Sequence, residues 1–151
     1  MMRNKLILQI PEHVDFSTEI NIQISDINYG QHLANDAVLR LAHEARLRFL
    51  NFFGYTEIDI EGAALIMTDA SIQYINQAVY GETLRIEVTI SEHYRTGFTL
   101  FYRFLSLDNN KEIARVQTNM AFFDYQRQKV ARCPATFTLK VTQHQQEHTC
   151  C

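Results

Sequence analysis

The chain has 151 residues, of which 46% are hydrophobic and 21% are charged, and its formal net charge is -3. This length fits one domain with a substantial core, and this composition is typical of a globular protein. The negative net charge gives no basis for a nucleic-acid partner. No apolar run reaches the roughly 18 residues that a membrane span needs, so we expect no membrane partner either.

The cysteines indicate neither a disulfide framework nor a metal site. Cys133 stands alone, and Cys150 and Cys151 are adjacent at the C-terminus, so the three lack the spacing of such sites. The N-terminal residues have too short an apolar segment for a signal peptide and no small-residue cleavage site. We therefore expect a reducing, cytoplasmic setting.

The first half of the chain predicts a strand, a polar loop and a long helix. Ile20, Ile22 and Ile24 alternate with polar residues, which indicates a half-buried strand over residues 16–25. A polar loop then leads into an apolar-rich run, residues 37–53, with helical spacing and a stop at Gly54. Because the run is apolar on most sides, we expect the helix to be buried on most sides.

The second half of the chain reads as consecutive strands. Alternating or apolar runs predict them over residues 63–79, 84–91, 98–107, 113–124 and 130–132, after a strand-like piece over 5–10 at the start of the chain. One helix followed by strands indicates an α+β fold, with an antiparallel sheet wrapped around the helix and its outer face covered by a partner subunit. We expect one domain over residues 1–142 and a loose polar tail over 143–151.

The stretch DINYGQHLANDAVLRLAHEAR, residues 26–46, resembles the hotdog-fold thioesterases of the 4-hydroxybenzoyl-CoA and acyl-CoA thioesterase type. Their usual motif is D-x-D-x-x-G-H-x-N-N, followed by a helix that carries E-A-R. Laid without gaps, Asp26 matches the first Asp, His32 the His and Asn35 the last Asn. The resemblance implies a hotdog fold and hydrolysis of an acyl thioester. It implies no metal or prosthetic group, and coenzyme A only as part of the substrate.

The chain departs from this motif at three positions. Asn28 stands where the family has its catalytic Asp, Gln31 stands at the Gly, and Ala34 stands at the first Asn. In the family that Asp acts as general base or nucleophile, whereas an Asn side chain cannot ionise. The resemblance therefore predicts the fold and leaves open which group activates water.

The loop residues matched by the resemblance each have a structural alternative. Asn28 is either a hydrogen-bonding group at the substrate or a turn residue. His32 is either an acid–base or substrate-orienting group or a loop histidine bonded to backbone. We expect Asn35 to cap the helix while its backbone N–H polarises the thioester carbonyl. Asp26 is the loop carboxylate nearest to the site or a turn residue.

Two further positions complete the expected site. Glu44 of the E-A-R segment is either a catalytic carboxylate, which some branches place on this helix, or a partner of Arg40 or Arg48 one turn away. Arg95 and Thr96 either bind the phosphates of coenzyme A or form a solvated turn.

These residues and the resemblance lead us to expect an acyl-CoA thioesterase that acts on an acyl-CoA or acyl-carrier thioester as a homodimer or homotetramer. A non-catalytic hotdog protein that binds an acyl thioester or a related ligand is the alternative, and Asn28 supports it. A hotdog dehydratase is a third reading.

Overall fold

The computed structural model describes residues 7–149. Its secondary structure comprises six strands and two α-helices within that range. In chain order they are β1 (Phe16–Asn21), α1 (Asn35–Phe52), β2 (Ala64–Tyr74), β3 (Thr83–Tyr94), β4 (Gly97–Ser106), β5 (Glu112–Asp124), β6 (Lys129–Ala131) and α2 (Ala135–Thr149). A 3₁₀ turn, Ile24–Asp26, lies between β1 and α1.

The strands form one antiparallel sheet in the order β1-β3-β4-β5-β2, with β6 paired to the end of β5. The sheet wraps around α1, which confirms the α+β hotdog architecture. Its register places a row of apolar side chains side by side beneath the helix. The row crosses four strands and consists of Val88, Tyr102, Val116 and Ile72.

Helix α1 ends as the glycine signal in the sequence predicts. Gly54 takes φ +85°, a left-handed conformation that residues with a side chain rarely adopt. The N–H of Gly54 donates to the carbonyl of Asn51 at 2.9 Å, and the N–H of Tyr55 donates to that of Leu50 at 2.9 Å. These two bonds satisfy carbonyls that the helix itself leaves unpaired.

The C-terminal region differs from the expectation of a loose tail. Residues 135–149 form α2, so the segment from Gln143 to Thr149 is helical, and residues 150–151 of the expected tail lie outside the described residues. Phe137 and Val141, four residues apart, are fully buried. These two residues form a narrow apolar face that packs α2 against the core. Most other residues of α2 are polar, so the sequence shows little helical periodicity of hydrophobic residues.

The outer face of the sheet is partly covered within one chain, and cover of the rest by a partner subunit stays a prediction. The segment 7–14 crosses this face without forming a strand. The carbonyl of Leu8 accepts from Arg115 at 2.8 Å, and that of His13 accepts from Thr89 at 2.7 Å. Phe101, which points to this face, is only 5% exposed.

Strand β2 is an open edge of the sheet. It ends at Tyr74 rather than at residue 79, and no described strand pairs with its outer side, where the N–H of Leu65 donates to the carbonyl of Glu57 at 2.7 Å. The other edge, β1, is shorter and is partly occupied by Arg48, which donates to Thr18 Oγ1 at 2.8 Å and to the carbonyl of Glu19 at 3.0 Å. Within residues 7–149 no helix is long and apolar enough to cross a bilayer.

Candidate functional site

The side chain of Asn28 closes the loop that precedes α1. Its Oδ1 accepts the N–H of Gly30 at 3.0 Å and that of His32 at 3.2 Å. Its own N–H donates to the carbonyl of His32 at 2.9 Å. The amide oxygen of Asn28 is therefore committed to the loop, and only its NH₂ group remains to meet a ligand.

Asp26 ties the loop to the helix. Its side chain is buried, Oδ2 accepts the N–H of Gln23 at 2.9 Å, and Oδ1 accepts from Arg40 Nη1 at 3.3 Å. Its backbone carbonyl accepts the N–H of Ala34 at 2.8 Å. Both carboxylate oxygens thus have a partner, which suits a group that fixes geometry.

Helix α1 begins without a side-chain cap, so the expectation that Asn35 caps it is wrong. The N-cap is Ala34, whose side chain cannot accept a hydrogen bond, and Asn35 is the first helical residue. Among residues 7–149, nothing accepts the N–H of Asn35 or Asp36. Two donors and the positive end of the helix dipole are therefore free at this point. The carbonyl of Asn35 accepts from Tyr74 Oη at 2.9 Å, which anchors the helix start to the end of β2.

Glu44 lies apart from the loop. Its carboxylate pairs with Arg48 one turn later at 3.4 Å, and its side chain is 49% exposed. This pairing is one of the two alternatives that the sequence offered.

The turn that holds Arg95 and Thr96 is fixed through its backbone. The carbonyl of Arg95 accepts from Cys133, and that of Thr96 accepts from Phe122. Neither residue lines the pocket that contains His32 or the pocket on α1 described below. The structure thus leaves Arg95 and Thr96 at a separate place on the surface.

His32 lines a polar pocket of about 460 Å³. The pocket is also lined by Asn76, Glu82, Asn109 and Lys111. Lys111 brings a cation beside the histidine that the sequence did not indicate, because it follows a hairpin turn far along the chain.

A second polar group, which the sequence did not predict as a site, is centred on α1. His43 Nε2 lies 2.5 Å from Glu57 Oε1, and the same oxygen lies 3.7 Å from Arg46 Nη2. Arg46 is buried, and its Nη1 donates to Tyr102 Oη at 3.2 Å, which in turn lies 3.0 Å from Thr118 Oγ1. These side chains form a continuous series of polar contacts from the half-exposed imidazole of His43 to the core.

Burial raises the pKa of Tyr102, and the neighbouring Arg46 partly opposes that rise. The phenol therefore stays protonated at neutral pH and bridges Arg46 to Thr118 as a neutral hydroxyl. The Nε of Arg46 is buried and has no hydrogen-bond partner. Tyr102 fixes the position of Arg46, and the guanidinium of Arg46 in turn holds the carboxylate of Glu57 beside His43.

The same region of α1 borders a pocket of about 380 Å³. Leu39 and Met67 supply apolar walls, and its polar lining consists of Asp36, Arg40, His43 and Arg46. Within residues 7–149, no group of three or more His, Cys, Asp or Glu side chains is arranged to hold a metal ion.

Comparison with known proteins agrees with this architecture. The family model described as the thioesterase-like superfamily matches residues 22–141. The chain belongs to the thioesterase-like superfamily. The match includes the loop, α1 and the strands β2 to β6, so it contains the residues that line both pockets.

Solved structures of thioesterases share the fold of this superfamily member. A 1,4-dihydroxy-2-naphthoyl-CoA thioesterase from Synechocystis is 22% identical, with a TM-score of 0.77 over 84% of this chain and 95% of that one. A DHNA-CoA thioesterase from Staphylococcus aureus is 16% identical, with a TM-score of 0.75 over 87% and 90%. A gentisyl-coenzyme A thioesterase is 15% identical, with a TM-score of 0.72 over 82% and 99%. No curated protein matches the chain significantly.

Proposed function

We propose that this thioesterase-like protein hydrolyses acyl thioesters, with acyl-CoA as the substrate class. The observation that carries the proposal is the uncapped start of α1, where the N–H groups of Asn35 and Asp36 have no partner among the described residues. The solved relatives that share the fold include enzymes for aromatic acyl-CoA thioesters. This supports a thioester rather than an oxygen ester as substrate.

Hydrolysis requires that the carbonyl oxygen become negative as water adds to the carbonyl carbon. Two N–H donors and the positive end of a helix dipole stabilise that charge. Collapse of the tetrahedral intermediate breaks the carbon–sulfur bond and gives a carboxylic acid and a free thiol. Asp26 and Asn28 keep the loop shaped so that the donors face outward, and His32 orients the substrate from the loop.

In this proposal the acyl group is carried by coenzyme A or by an acyl carrier protein. Arg95 and Thr96 remain the proposed contacts for the phosphates of coenzyme A. Arg95 is exposed and cationic, which suits a phosphate partner. Cys133 is a free thiol, which suits a reducing compartment such as the cytoplasm.

We further propose that the protein is a homodimer joined through β2. A long strand with an open edge is a ready template for a second strand, and β2 has eleven residues and no described strand on its outer side. Two-fold symmetry pairs β2 with β2 of a second copy in antiparallel orientation. The shorter β1 edge is less available because Arg48 bonds to its backbone.

The second candidate function is binding of an acyl thioester without turnover. The loop favours it in one respect, because Asn28 cannot ionise and both oxygens of Asp26 have partners. No loop carboxylate is therefore free to activate water.

A panel of acyl-CoA substrates, followed by release of free thiol, separates the two functions. The hydrolase proposal predicts turnover that saturates with substrate and yields one thiol for each acid. Saturable binding without thiol release across aromatic, short-chain and long-chain acyl-CoAs contradicts the hydrolase and supports the binder.

A further inference from the structure

His43 and Glu57 have the geometry of an oriented base. A carboxylate only accepts hydrogen bonds, so the 2.5 Å contact between His43 Nε2 and Glu57 Oε1 places the imidazole proton on Nε2. In that tautomer Nδ1 carries a lone pair, and no described residue donates to it. Glu57 is itself fixed by Arg46, which is anchored to buried Tyr102. The loop offers no comparable group.

The dyad of His43 and Glu57 opens onto a pocket fit for a substrate. The side chain of His43 is 52% exposed, and the residue lines the pocket of about 380 Å³ on α1. The charged groups that face it are Glu57 and Arg46 at the dyad, and Arg40 and Asp36 along the pocket. The pocket starts at Asp36, beside the free N–H groups, and extends along the helix.

One chain alone cannot bring His43 and the helix start to the same carbonyl. Asn35 and His43 are eight residues apart on α1, which corresponds to about 12 Å along the axis. Strand β2 runs antiparallel to α1, because Tyr74 bonds to Asn35 at one end. Towards the other end, Met67 lines the pocket with His43.

Pairing two copies through β2 removes this separation. A two-fold axis that crosses β2 between Met67 and Tyr74 places the end of one strand level with the start of the other. The helix start of one subunit then lies level with His43 of its neighbour.

We propose that His43 is the general base for thioester hydrolysis and that Glu57 is its positioning residue. Nδ1 takes a proton from water as the water oxygen bonds to the carbonyl carbon, and the N–H groups at the neighbouring helix start hold the oxyanion. The carbon–sulfur bond then breaks, and the imidazolium returns its proton to the departing thiolate. The products are one acid and one thiol. This inference rests on the proposed function and on the dimer through β2.

The first test is His43→Gln, which preserves a donor towards Glu57 and removes the base. We expect kcat/KM at neutral pH to fall on the order of 100-fold or more. The acidic limb of the pH profile, where the imidazole gains a proton, disappears with it. His148→Gln is the matched control, because His148 lies on α2 away from the pocket, and its rate and acidic limb match wild type. An unaltered rate and an unaltered acidic limb in His43→Gln overturn the inference.

Glu57→Gln tests the positioning role. The maximal rate falls, because the amide no longer fixes one tautomer of His43, whereas KM stays close to that of wild type, because Glu57 does not touch the substrate. A purely structural Glu57 would lower stability and leave kcat of the folded protein unchanged, and that result overturns its positioning role.

Complementation tests the arrangement across subunits. His43→Gln and Asn35→Pro, which removes the N–H at the helix start, are co-expressed with different tags and the mixed dimer is purified. One of its two sites then has both an intact helix start and an intact His43, so activity returns. No activity in the mixed dimer contradicts the shared site.

The controls separate the inference from the proposed function. If wild type turns over substrate and His43→Gln is equally active, thioester hydrolysis is supported and the proposal that His43 is the general base is wrong. A wild type that releases no thiol from any acyl-CoA overturns both, before any variant is compared.

Discussion

Tyr102 carries a prediction about stability that follows directly from the buried network. Tyr102→Phe removes one hydroxyl and changes the shape of the core very little. The hydroxyl is bonded to the cationic Arg46 at 3.2 Å and to Thr118 at 3.0 Å, and all three residues are buried. The variant therefore leaves two buried polar groups without that partner.

The expected cost follows from the type of each bond. A hydrogen bond to a charged group contributes about 1.5–3 kcal/mol, and a neutral one about 0.5–1.5 kcal/mol. Because the two share one hydroxyl, their contributions overlap. We expect the free energy of unfolding to fall by about 2–4 kcal/mol.

Urea denaturation followed by circular dichroism measures this change. Wild type and variant are compared at equal protein concentration, since association stabilises the folded state. Tyr80→Phe is the matched control: Tyr80 is 64% exposed, and its loss should cost less than about 0.5 kcal/mol. A Tyr102→Phe variant as stable as this control would refute the reasoning that the hydroxyl holds Arg46 in place.

Three further predictions test the fold and the partly buried thiol of Cys133. Gly97→Ala should not fold, because a Cβ at this position would lie 1.9 Å from the carbonyl oxygen of Met120 on the neighbouring strand; solubility and circular dichroism check it. Phe137→Ala should lower the free energy of unfolding by about 3–5 kcal/mol in urea titrations, since the ring of Phe137 is fully buried between α2 and the core. Burial raises the pKa of Cys133, and its contact with Thr138 only partly opposes that rise, so less thiolate is present at any given pH. In a background with serines at 150 and 151, alkylation of Cys133 should be slower than in the urea-unfolded chain, and its rate should reach half its maximum at a higher pH.

The central helix and the strands were predictable because their burial is periodic. Residues of β3 and β4 alternate or stay apolar along the run, and α1 ends at a glycine with positive φ. The α2 helix was not predictable in the same way. Only two of its residues, Phe137 and Val141, are fully buried, Leu139 is exposed, and most of the rest of its sequence is polar.

The site was only partly predictable from sequence. The resemblance located the loop and the helix start, and both lie where it implies. It could not show that the oxygen of Asn28 is used within the loop, because that depends on the turn geometry. It also could not pair His43 with Glu57, since a connector, rather than a helical or strand repeat, brings them together.

Asn35 offers the most direct test of the central claim, that the start of α1 holds the carbonyl of an acyl thioester during hydrolysis. Proline is tolerated at the first helical position, and the preceding Ala34 already has φ -70° and ψ 149°, which suits a residue before proline. Asn35→Pro therefore removes one N–H donor while the helix stays intact, and Asn35→Ala removes only the side chain.

The measurement is kcat for acyl-CoA hydrolysis by wild type and these two variants, with melting temperatures recorded alongside. We predict turnover by wild type, a similar rate for Asn35→Ala, and a loss on the order of 100- to 1,000-fold for Asn35→Pro at unchanged stability. Equal rates for the proline and alanine variants would contradict the account.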